Sequence, residues 1–98
     1  MRAKYKEYFL EMIEKNRDVF EPFRELHDKY EKEPQKYQKE FNLKGKNILE
    51  IVQEWENRLC SASEKGGYAR FSTNLSEKFR SAVRSYLPKF DSIGLEYP

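Results

Sequence analysis

A chain of 98 residues with 38% hydrophobic and 37% charged side chains has room for one domain and not two. Its net charge of +2 is too mild to require a nucleic-acid partner, and its one cysteine, Cys60, excludes an internal disulfide. With no membrane-length apolar run and no signal-peptide pattern, the expectation is a cytoplasmic protein whose thin core leans on aromatic rings, 15% of the chain.

Tyr5, Phe9, Met12, Asn16, Val19, Phe23, Leu26 and Tyr30 alternate in steps of four and three. That spacing keeps one side of a helix on a single partner surface, and it predicts a helix from about Lys4 to Lys32. Ile13 and Phe20 widen the stripe into a globular-type face. Pro22 removes a backbone donor and crowds the preceding turn, so a kink is expected at Asp18–Pro22, or two helices joined there. Asn16, polar within the stripe, either sets register with a partner or satisfies backbone near the kink.

Glu33-Pro34 reads as a break, because a residue before proline avoids the α region and proline suits a first helical position. A second helix is predicted from about Gln35 to Cys60, with Phe41, Gly45, Ile48, Val52, Trp55 and Leu59 in the same four-and-three step. Gly45 marks a close crossing with the first helix, or a break within Asn42–Asn47. Ser61–Thr73, with Gly66-Gly67 at its centre, is expected to be a loop. Asn74, with Glu77 three positions on, predicts the cap of a third helix that Pro88 ends. Phe90, Ile93, Leu95 and Tyr97 then lie on an extended tail with apolar side chains to dock.

The expected fold is therefore all-α and a single domain over residues 1–98. It is a long antiparallel hairpin (1–60) kinked near Pro22, a Gly-containing loop (61–73), and a shorter third helix with its tail (74–98). At 1.5 Å per residue the two long helices match in length at about 40 Å, whereas the third spans about 20 Å. The third helix should cover the open end, over Phe9, Met12, Val52 and Trp55. The turn end is then left with Phe23, Leu26, Tyr30, Tyr37 and Phe41 as exposed apolar surface, which points to a partner interface and to a homodimer.

Catalytic groups are few. His27 is the one histidine, with Glu31 a turn away, and the pair reads as a salt bridge on a helix flank. The Glu-x-x-His pattern of di-iron bundles is absent, since Arg24 stands where the glutamate belongs. No catalytic residues, metal or cofactor are expected. One charge asymmetry remains: from Lys65 to Lys89 there are six basic residues against Glu77 alone. Lys65, Arg70, Lys78, Arg80, Arg84 and Lys89, with Tyr68 and Phe71 beside them, supply an alternative reading in which phosphates are held and a base is stacked. The Ser61–Thr73 loop is too long for a standard helix-turn-helix. The first reading is thus a non-enzymatic interaction or assembly module, and the second a nucleic-acid-binding accessory protein.

Overall fold

The first apolar register folds as two helices, and the break between them is not at the proline. In the computed structural model, which describes the backbone of residues 4–65 and 72–94 and the side chains of 4–61 and 75–94, α1 spans Lys4–Lys15 and α2 spans Arg17–Lys32. Asn16 separates them with φ −118° and ψ 30°. Its backbone N–H and its side-chain Nδ2 both donate to the Met12 carbonyl, at 3.1 and 2.9 Å. A short amide side chain that bonds its own preceding turn competes with continuing the helix. Pro22 sits exposed inside α2, so the Asp18 carbonyl that its missing N–H would have served lies on the water-facing side. The alternative of two helices joined at Asp18–Pro22 is corrected: the junction lies at Asn16.

Glu33 alone connects α2 to α3, which runs unbroken over Pro34–Lys65. Its φ of −137° and ψ of 73° lie outside the α region, which a following proline disfavours. With so short a connection the two helices fold back on each other. Phe41 stacks on Phe23 and Tyr30, while Trp55 meets Tyr8 of α1 edge to face at 6.3 Å. Helix α3 outruns its expected end at Cys60 because Ser-Ala-Ser-Glu-Lys holds no helix breaker before Gly66.

Helix α4 spans Ser72–Tyr86, so Asn74 is its third residue and not its cap. Ser, Thr and Asn all suit a helix start, which is why pattern alone could not choose among Ser72, Thr73 and Asn74. The expected loop at Ser61–Thr73 shrinks accordingly, and residues 66–71 lie outside the described chain. Helix α4 lies across α1 and α3: Tyr86 meets Phe9 and Phe20 edge to face, and Arg80 reaches Glu56. The fold is all-α, with no strand among the described residues. Its longest dimension, 46 Å, is close to the about 48 Å that a 32-residue helix occupies.

After α4 the chain does not extend away. Leu87–Gly94 folds back over the turn end of α2 and α3, with a short 3-10 turn at Phe90–Ser92. Phe90 is buried and Ile93 packs against the core. Leu95 and Tyr97 lie outside the described residues. The turn-end surface is therefore covered by the chain itself. Phe23, Leu26, Tyr30 and Phe41 retain only 3, 7, 2 and 0% exposure, and Tyr37 is half-buried. The expectation of bare aromatics there is corrected, because the tail beyond Pro88 docks on this end through Phe90 and Ile93.

Candidate functional site

The most specific surface in the molecule is the groove that receives Leu87–Gly94. Its floor is aromatic. Tyr30 and Phe41 stack with ring centroids 4.1 Å apart and planes 3° from parallel, and Phe23 stacks on the other side of Phe41 at 5.0 Å. Such pairs contribute beyond the area they bury, and they hold the two helices at a fixed spacing.

Above that floor, α3 offers a gap where a side chain would otherwise stand. A Cβ on Gly45 would lie 2.6 Å from Ile93 Cγ2 and 2.9 Å from Ile93 Cγ1. Gly45 is thus neither a helix break nor a crossing point for the first helix. It is the socket for Ile93, and only a residue without Cβ leaves room for it.

Three polar side chains then read the backbone of the docked segment: His27 Nε2 accepts from Lys89 N–H (2.9 Å), Gln38 Nε2 donates to the Ser92 carbonyl (3.2 Å) and Asn42 Oδ1 accepts from Gly94 N–H (2.7 Å). Gln38 is buried and fully engaged. Its Oε1 accepts from the Tyr30 hydroxyl and its Nε2 donates also to Asn42 Oδ1, at 2.6 Å. A hydrogen-bonded relay therefore links the aromatic floor to the segment's main chain, and buried polar groups satisfied in this way specify one geometry. Arg84, paired with Asp91 at 2.8 Å, clamps the segment's outer side.

His27 is not on a helix flank but fully buried, which corrects its reading as a surface salt bridge. Because Nε2 accepts the Lys89 N–H, a neutral imidazole carries its proton on Nδ1. That Nδ1 faces Asp28 Oδ1 at 3.5 Å and Glu31 Oε1 at 3.6 Å, beyond hydrogen-bond reach. The three groups bring one ligand atom each within 4.8 Å of the others, a spacing that a divalent cation could bridge. A metal on Nδ1 would need the proton on Nε2, where it would oppose the Lys89 N–H. In this arrangement the imidazole orients the docked segment and does not offer a ligand lone pair.

The basic strip is broken up by the fold. Arg80 pairs with Glu56, donates to Gln53 Oε1 at 3.0 Å and lies over the Phe90 ring. Arg84 is held by Asp91. Lys89 has an exposed side chain but contributes its backbone N–H to the groove. Lys78 stands over the Tyr5 ring at 6.0 Å, on an open cleft between α1 and α4 that also holds Lys6, Ser81 and Ser85. Lys65 closes α3, though its side chain lies outside the described set, and Tyr68, Arg70 and Phe71 lie outside the described residues altogether. The count that singled out the strip considered only residues 65–89, whereas its neutralising carboxylate Glu56 comes from α3 and Asp91 from beyond Lys89.

Sequence reasoning missed Gln38, Asn42 and the part His27 plays. A signal existed for His27, which continues the seven-residue spacing of Ile13 and Phe20 and so belongs to the buried face. Gln38 likewise falls three residues before Phe41 on the α3 stripe. No helix among the described residues is long and apolar enough to cross a membrane. Compared with known proteins, the chain matches no family model, no curated protein and no solved structure.

Proposed function

We propose that this chain is a non-enzymatic interaction module whose working surface is the groove between α2 and α3. Its partner class is a short protein segment carrying Phe and Ile in the spacing of Phe90 and Ile93. The observation that supports this is the mode of capture: His27, Gln38 and Asn42 contact main-chain atoms of Lys89, Ser92 and Gly94. Main-chain contacts supply affinity for any segment of the right shape, while the Gly45 socket and the aromatic floor choose the side chains. In this reading the turn-end aromatics form the floor of a groove and not a bare surface. The nucleic-acid reading has less support, since Arg80 and Arg84 are already ion-paired within the chain.

The test uses a fluorescein-labelled peptide spanning Tyr86–Gly94 and the Ile93→Asp protein, whose own segment is loosened. Anisotropy should rise saturably, and a Phe90→Ala peptide should bind at least about tenfold more weakly, a loss of roughly 1.4 kcal/mol. Absence of binding to a variant that retains wild-type helicity would remove the groove as an interaction site.

A further inference from the structure

We infer that the occupant of the groove can come from a second copy of this chain, so that Lys89–Gly94 is exchanged reciprocally between two protomers. The inference rests on the groove reading above and adds the identity of the partner.

Its first support is that every anchor lies on the far side of a short connector. Helix α4 ends at Tyr86, and the first contact of the segment with the groove is the Lys89 N–H. Between them stand Leu87, which stays in the core, and the exposed Pro88. Proline has no N–H, so re-aiming the chain there breaks no hydrogen bond of its own. The backbone bond that spans the connector is Phe90 N–H to the Leu87 carbonyl, at 2.8 Å. The remaining bonds of the segment are internal to it, as in Ser92 N–H to Lys89 and Ile93 N–H to Phe90, or are made to the groove and to Arg84 of α4.

The second support is that exchange re-forms all of the groove contacts. Helices α2, α3 and α4 stay in place on each copy, so the incoming segment finds His27, Gln38, Asn42 and the Gly45 socket as its own segment does. Asp91 of one copy would meet Arg84 of the other. The third support is what an empty groove would leave behind: the buried His27 Nε2 deprived of the Lys89 N–H, and the Gly45 socket unfilled. An open monomer is therefore a poor state, and the choice lies between a closed monomer and an exchanged dimer. A tethered segment acts at an effective concentration in the millimolar range, so the closed form prevails in dilute wild-type protein. Exchange of an identical element is a low-cost route to a dimer once that advantage is removed.

Deleting Pro88 removes it. The connector loses about 3.5 Å of reach while groove and segment keep every contact residue. The variant is expected to sediment as a dimer, twice the 11.9 kDa of the chain, with wild-type helicity by circular dichroism. A folded monomer at about 200 µM, well below that effective concentration, would overturn the inference. A second arm does not depend on that variant folding. Gly45→Leu blocks a groove and keeps a good segment, whereas Ile93→Asp spoils a segment and keeps a good groove. Each should be monomeric alone, and their equimolar mixture should yield a heterodimer by native mass spectrometry. No association in the mixture would sink the exchange. If the Tyr86–Gly94 peptide still binds Ile93→Asp in that case, the groove stands and only the second-copy partner falls.

Discussion

Replacing Gly45 by alanine should weaken the protein, against the usual rule for a glycine inside a helix. In a helix with nothing overhead, Gly→Ala stabilises by about 1 kcal/mol. Here the new Cβ would stand 2.6, 2.9 and 3.1 Å from Ile93 Cγ2, Cγ1 and Cδ1. Two of those atoms are attached at the branch point of the side chain, so Ile93 cannot step aside by moving its tip alone. Crowding of this kind costs about 1–3 kcal/mol, which leaves Gly45→Ala neutral to about 2 kcal/mol less stable than wild type. The decisive measurement is a double-mutant cycle with Ile93→Ala, read from urea unfolding of the four proteins. Ile93→Ala alone should cost about 1–2 kcal/mol, because its side chain is only half-buried, but in the Gly45→Ala background it should cost little or restore stability. Effects that add within about 0.5 kcal/mol, with Gly45→Ala stabilising, would show that Ile93 does not occupy the socket.

Other substitutions probe the remaining parts of the design. His27→Phe keeps a ring in the core but deprives Lys89 N–H of its acceptor, so stability should fall by about 1–3 kcal/mol. Hydrogen exchange at the Lys89 amide should accelerate at the same time; unchanged protection would disprove the bond. Pro22→Ala should stabilise by about 1–2 kcal/mol, since it returns a donor to the Asp18 carbonyl on the exposed face of α2. A fall in melting temperature would show that the proline ring helps to hold the α1–α2 break. A cycle of Glu56→Gln and Arg80→Met should report a coupling of about 1 kcal/mol, modest because the Arg80 side chain keeps 26% exposure. Strict additivity would mean that the pair only decorates the surface.

Much of the architecture could be read from spacing because long amphipathic stripes constrain a helix strongly. Met12, Ile48, Val52 and Leu59 all lie on the four-and-three stripes, and all are buried. Glu33-Pro34 located the turn through a local backbone restriction that needs no tertiary help. What escaped was decided elsewhere. The break at Asn16 depends on which carbonyl an amide side chain finds, and Pro22 was the more obvious suspect. The groove escaped because its parts are distant in the chain: Gly45 and Ile93 meet only after the segment folds back, and so do Asn42 and Gly94 or His27 and Lys89. A glycine in a helix signals that something comes close without saying what. The basic strip illustrates the converse, since a local charge count cannot see a carboxylate supplied by another helix.

The single-residue turn at Glu33 also sets an order of events. Contacts between α2 and α3 near the turn join residues close in sequence, as Tyr30 and Gln38 show at a separation of eight. Closing so short a loop sacrifices little chain entropy, so this helix pair is the natural place for folding to start. The groove contacts of Lys89–Gly94 span 48 to 62 residues, from Gly45–Ile93 to His27–Lys89, and would form late. Changes in the segment should then leave the folding rate nearly untouched and appear almost wholly as faster unfolding. How long the native state lasts would be governed by its last described residues, even though the speed of reaching it would not.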